Sequence, residues 1–185
     1  MNLLESLSTL GRLDRLPRTG WLLRGVEPCE SIAGHVVAVA QLAAVVAPRE
    51  PIALDLGQVL TMALLHDAPE ACSGDLPSPA SRHLPEGAKR AMEAGLAREL
   101  LEPMGAEAHA AWEEFQAQES AEARFVKLCD RVQLGLRLLE YVRAGWRGLE
   151  EFEGGLRSLD CGEFTALAEL HAAVLAALEA ERASE

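Results

Sequence analysis

From Ser120 to about Arg143, the residues Phe125, Leu128, Val132, Leu136, Leu139 and Val142 return every three or four positions. That spacing lines one face of an α-helix. A face of this length must be buried against other apolar helices or a sheet. No segment shows the alternating pattern of a strand, so the expected partners are helices and the expected fold class is all-α, a single helical bundle. Ala and Leu dominate and β-branched runs are short, which favours the same outcome. With 185 residues, the chain is long enough to bury the core of one domain.

Further helices are expected over about residues 2–9, from Ser31 as N-cap to Val46, and from near Asp55 to between Glu70 and Cys72. Others are expected from about Pro85 to Leu101, from about Ala106 to Gln118, and from about Glu163 to Arg182. Residues 12–30 carry Gly, Pro and Arg and read as irregular. The Ser73-Gly74 pair, then Pro77 and Pro79, stop the third helix. The pattern holds no internal repeat and no low-complexity linker.

The formal net charge of −12 argues against a nucleic-acid polymer or an anionic membrane as partner. A small anionic substrate would need a local positive site, either a metal or a few arginines. Cys29, Cys72, Cys129 and Cys161 are scattered and form no CxxC pair, so reduced thiols in a cytoplasmic protein are expected. No signal-peptide pattern opens the sequence, and charges interrupt every candidate membrane span.

Against this background the stretch "ALLHDAPEACSGDLPSP", Ala63 to Pro79, stands apart. An apolar run leads straight into His66, Asp67, Glu70 and Asp75. A buried carboxylate is costly unless a cation or a metal meets it. His nitrogen and Asp oxygen suit divalent Zn, Mn, Co, Ni or Fe. Two more candidates lie on other helices: His35 in "HVVAVAQLAAVV", and Asp130, set among Leu128, Val132 and Leu134. Asp is a poor helix former and a poor core residue, so Asp130 asks for a partner. Two histidines and two aspartates can hold a metal with positions left open for water and substrate. Each residue also has a plainer reading. His35 alone could be a satisfied core histidine, and Asp130 a salt bridge to Arg131 or Lys127. Glu70 could be a solvated helix end, Trp21 a core aromatic, and Asp75 a turn former.

The series His35, His66-Asp67, Asp130 resembles the HD-domain metal-dependent phosphohydrolases. "RTGWLLRGVEPCESIAGH", "LLHDAPEACSGDLPSP" and "ESAEARFVKLCDRVQLGLRLLEY" resemble the 5′-deoxynucleotidase branch, over roughly residues 10–143. The resemblance implies an all-helical HD domain, commonly a homodimer, that dephosphorylates deoxyribonucleoside 5′-monophosphates. It implies His35, His66, Asp67 and Asp130 as ligands of one divalent metal ion (Mn, Co, Zn, Ni or Mg), and Glu70 as the acid that handles the attacking water. It further implies Trp21 as the aromatic against the nucleotide, Asp75 and Ser78 as sugar or base contacts, and Arg18 or Arg24 at the phosphate. Two positions depart from the family pattern. Ser78 replaces a common Thr and keeps the hydroxyl. Gly34 replaces a common acid before the first histidine, so a contact supporting that ligand is expected to be missing.

Within one helix, Glu70 would share a face with His66 and Asp67, which supports its role independently. His83 and His109, candidates for a second metal, read as surface residues, and His171 as packing or surface. The acidic pairs Glu113-Glu114 and Glu150-Glu151 read as solvated faces. The rival readings are a catalytically silent metal-binding regulatory module and a two-metal phosphodiesterase or oxygenase.

Overall fold

Short polar residues start the principal helices. In the computed structural model, which describes residues 1–183, Asn2 and Glu5 form a reciprocal capping box on α1, Leu3–Leu10. A short α2, Thr19–Leu22, follows within the stretch expected to be irregular. Ser31 caps α3, Ile32–Val46, by accepting from the Gly34 amide, and Asp55 caps α4, Leu56–Leu65, through the Gln58 amide. Then come α5, Glu70–Ser73, α6, Ser78–Ser81, α7, Ala88–Leu101, and α8, Ala106–Ala117. Ser120 caps the long α9, Ala121–Arg143, and α10, Glu150–Arg157, and α11, Thr165–Ala183, complete the bundle. Among the described residues no strand forms, and one isolated antiparallel bridge joins Pro17 to Ser31.

The expected helix from Asp55 to about Cys72 is two pieces. It stops at Leu65 because of Pro69, which has no amide proton to donate to the Leu65 carbonyl and whose ring would press on that carbonyl. A tight turn replaces the missing helical bonds, with the Ala68 amide donating to Leu65 and the Glu70 amide to Asp67, both at 3.0 Å. Glu70 therefore begins a new element instead of continuing the His66 helix. The expected start at Pro85 moves to Ala88, after Gly87 turns the chain at φ 75°. α6 and α10 were not expected. α10 has only two large apolar residues, Phe152 and Leu156, among acids and glycines.

α3, α4, α8 and α9 enclose the main core, with Val39, Val59, Met62, Phe125 and Val132 buried and Phe164 and Leu167 closing it. Each such side chain contributes about 1.5–3 kcal/mol on full burial. α9 meets α10 and α11 at Gly135, where any Cβ would lie 2.8 Å from Leu156. The segment Ile32–Arg49 is long and apolar enough by composition to cross a membrane, with a mean hydropathy of 1.5. The sequence expectation missed this. Here its inner face packs in the bundle and carries His35.

Candidate metal centre and substrate cavity

α3, the end of α4 and the middle of α9 bring three ligand atoms together. His35, His66 and Asp130 offer atoms that all lie within 4.8 Å of one another. His35 Nε2 is 3.2 Å from Asp130 Oδ1 and 3.4 Å from His66 Nε2. Asp67 adds Oδ2 at 3.3 Å from His66 Nε2 and 3.6 Å from His35 Nε2. Three of the four residues expected as metal ligands share one cluster, and Asp67 borders it through the two histidines.

The tautomers suit a metal. The His35 Nδ1–H donates to Gln133 Oε1 at 2.7 Å, and the His66 Nδ1–H donates to the Ala63 carbonyl at 2.8 Å. Each ring keeps its Nε2 lone pair for the cluster. Gln133, on α9, supplies the support that Gly34 cannot, so the expected loss of a contact at the first histidine does not occur.

The electrostatics point the same way. Burial works against ionising Asp67, but His66, His35 and Arg18 together hold it well below the usual carboxylate range. Asp130 is also held well below that range, against burial, by the neighbouring His35 imidazole and by Lys127. Burial alone would lower the His66 pKa, yet Asp67 and Asp130 raise it. Paired carboxylates that demand positive charge around free imidazole nitrogens are the donor set a dication fits.

Glu70 stands apart from these four. It is 7% exposed, and its Oε2 has no hydrogen-bond partner. Burial first, then Asp67 and Asp75, push its carboxyl up to about 9. Its nearest cation is Arg18, whose guanidinium lies 4.0 Å from Oε2. An orphaned buried carboxyl oxygen beside a ligand cluster is suited to handling a water or a proton.

The cluster opens on a cavity of about 430 Å³. One end is polar, with Asp67, Glu70, Asp130, Arg18 and Lys127; the other is walled by Trp21, Leu134 and Phe152, with Lys89 and Arg131 also lining it. Arg18 sits deepest among these cations, 3.3 Å from Asp67 and 4.0 Å from Asp75. Burial would lower its pKa, but the surrounding carboxylates raise it, so it stays charged. Asp75 also lines the cavity and ties α2 down, its Oδ2 accepting from the Thr19 amide at 2.6 Å. Ser78 lines the cavity at the start of α6.

Two expected contacts look different in three dimensions. Trp21 is 2% exposed, donates its indole N–H to Glu30 at 3.0 Å and packs on Tyr141 and Phe152. It is a core aromatic as well as a wall of the cavity. Arg24 lies outside the cavity lining, in an ion pair with Glu151 and over the Phe152 ring. Of the two arginines, Arg18 faces the site. Glu151, expected to be a solvated residue, lines the cavity as the partner of Arg24. His83 is exposed, His109 stacks on Trp112, and His171 meets the Leu156 carbonyl; none joins the ligand cluster.

The sequence reading missed Gln133, Glu30, Lys89, Leu134 and Phe152. Gln133 carried the signal that marked Asp130, a polar residue on a buried helical face, one turn further on.

Residues 10–157 match the family described as the HD domain, and the chain belongs to it. That membership implies a divalent metal, in keeping with the converged ligands. The bovine 5′-deoxynucleotidase HDDC2 is 34% identical over 142 residues, 76% of this chain and 68% of that protein. A crystal structure of a Pyrococcus horikoshii OT3 protein superposes with a TM-score of 0.80 at 30% identity, covering 93% of this chain and 98% of that one. A predicted metal-dependent phosphohydrolase from Magnetospirillum magnetotacticum MS-1 gives a TM-score of 0.72 at 26% identity, over 96% of this chain and 90% of its own.

Proposed function

We propose that the chain is a 5′-deoxynucleotidase, hydrolysing deoxyribonucleoside 5′-monophosphates to deoxynucleoside and phosphate with one divalent metal. The observation that carries this is the meeting of His35, His66, Asp67 and Asp130 beside the orphaned Glu70 and the charged Arg18, in a cavity sized for a small ligand. The similarity to proteins named 5′-deoxynucleotidase supports the substrate class.

The four ligands would hold the metal, which supplies Lewis acidity toward the phosphate oxygens. Arg18, paired with Asp67, would meet the dianionic phosphate and neutralise charge that builds on its oxygens. Lys127 and Lys89 add positive charge along the cavity. Glu70 Oε2 orients the attacking water and takes its proton. A dication held by Asp67 would offset that carboxylate's part in raising Glu70 and so favour its ionised, proton-accepting form. Water oxygen bonds to phosphorus, the ester P–O bond breaks, and the proton that Glu70 took from the water passes to the leaving sugar oxygen. Trp21, Leu134 and Phe152 provide the apolar wall for the nucleoside.

The reading takes one metal per chain, since His83 and His109 lie away from the cluster. It includes a cytoplasmic homodimer, on the resemblance alone, to be checked by sedimentation. A screen of phosphomonoesters and diesters with metal-reloaded protein tests the reaction. The expected result is phosphate release from deoxynucleotides, slower release from ribonucleotides, and no cleavage of diesters. Inactivity on every monoester with Mn, Co, Zn, Ni and Mg would leave the silent regulatory module as the better account.

A further inference from the structure

Behind the ligand cluster lies a buried chain of hydrogen bonds that the reaction does not use directly. His35 donates to Gln133 Oε1, and Gln133 Nε2 donates to Glu30 Oε2 at 3.2 Å. Glu30 also accepts from Arg137 Nε at 2.9 Å and from the Trp21 indole at 3.0 Å, while its own amide donates to the Tyr141 hydroxyl at 2.8 Å. His35 and Gln133 are 1% and 3% exposed, and the Glu30 side chain is 4% exposed.

The chain has a direction, and only one arrangement satisfies it. Glu30, which accepts from Arg137 and from the Trp21 indole, is used as an acceptor, so the Gln133 amide turns its NH₂ toward it. That leaves Oε1 facing His35, and a carbonyl oxygen there requires a proton on Nδ1. In the neutral ring that a metal requires, the lone pair then falls on Nε2, which is directed at Asp130 and His66. A flipped amide would set oxygen against carboxylate at one end and N–H against the imidazole at the other. Burial makes either mismatch costly.

We propose that Glu30 and Gln133 are positioning residues for the metal centre. In this role a carboxylate two residues removed from the metal dictates, through one amide, which nitrogen of His35 is free to bind. The amide can accept from an imidazole and donate to a carboxylate at once. Glu30 also holds Trp21, so the same residue ties the ligand shell to the substrate wall. This inference rests on the metal-site reading above.

The test is Mn²⁺ affinity, measured by calorimetry on metal-stripped protein, for the wild type, Gln133→Leu, Glu30→Gln, and the swap Glu30→Gln/Gln133→Glu. Circular dichroism melts of the metal-free proteins report folding. Each single variant should bind Mn²⁺ about 10–100-fold more weakly, the scale for a lost partner of a ligating histidine. The swap re-creates the polarity, since a carboxylate at 133 accepts from His35 and an amide at 30 donates to it. It should recover most of the affinity, which a purely structural role for these positions would not give. Unchanged affinity in Gln133→Leu, or a swap no tighter than the weaker single variant, would overturn the inference. If a single variant fails to fold, the swap against the wild type still decides. A wild-type chain that takes up no Mn²⁺ would instead remove the metal-site reading itself, and the inference with it.

Discussion

Arg18 and Asp67 are 49 residues apart in the chain and 3.3 Å apart in the fold. The pair links the loop before α2 to the turn after α4. It sets a permanent cation beside a proposed metal ligand, in the lining of the cavity. A phosphate entering there would meet the Arg18 guanidinium next to the proposed metal ligands.

Arg18→Ala should therefore lower kcat/KM on deoxynucleotides by about 10²-fold, the scale of one lost donor to a transition-state oxygen. Arg18→Lys should recover only part of it, because an ammonium cannot present the guanidinium's planar fork. Arg24→Ala, outside the cavity lining, should cost far less. Steady-state kinetics at saturating metal compare the three. A larger loss in Arg24→Ala than in Arg18→Ala would reverse the assignment.

Glu70→Gln should keep the fold and the metal while losing about 10²-fold or more in kcat, as expected when a proton-transfer group is removed. Metal content by elemental analysis and turnover on the same sample check this. Loss of metal would make Glu70 a ligand. Near-wild-type turnover would remove it from the mechanism.

Glu70 also predicts how the metal-free protein responds to pH. Its folded carboxyl is raised from 4.5 to about 9, chiefly by burial and then by Asp67 and Asp75. The folded state therefore keeps a proton that the unfolded state has lost. The stabilisation is complete below about pH 4.5 and fades as the pH rises through about 9. Glu70→Gln cannot lose that proton. In urea melts with chelator present, the variant should gain on the wild type steadily between pH 5 and pH 9. A constant difference across that window would show that the carboxyl is not held protonated.

Sugar discrimination should follow the aromatic wall. Trp21 is committed to Glu30, Tyr141 and Phe152, so truncating it would damage the core. Phe152 is partly exposed and lines the cavity. Phe152→Ala should raise KM for deoxynucleotides and narrow the deoxy-to-ribo ratio, which for a site that only crowds a hydroxyl is on the order of 10². An unchanged ratio, read from competing substrates, would move the specificity elsewhere.

The parts of this site that were legible in the sequence are those whose chemistry is odd in place. Asp130 on an apolar helical face, and His66-Asp67 after an apolar run, demand partners wherever the chain goes. Ser31 marked a helix start because capping is local, and Asp55 and Ser120 cap their helices in the same way. What stayed hidden depends on distant partners. Arg18 and Arg24 flank Trp21 equally in sequence, and only Glu151, 127 residues away, separates their roles. α10 is too short and too acidic to show an apolar stripe, yet it brings Phe152 to the cavity. Pro69 could have been read as a helix break, but the apolar pattern running up to Leu65 and the shared spacing of His66 and Glu70 favoured one continuous helix.

The central claim is that one metal, held by His35, His66, Asp67 and Asp130, enables phosphomonoester hydrolysis. Its most direct test titrates Mn²⁺ into metal-stripped protein while phosphate release from deoxyadenosine 5′-monophosphate is followed. Activity should rise from baseline and saturate at about one equivalent per chain, the stoichiometry of a single four-residue site. Asp130→Ala should stay at baseline throughout. Full activity without metal, saturation only at two equivalents, or an active Asp130→Ala would contradict the account.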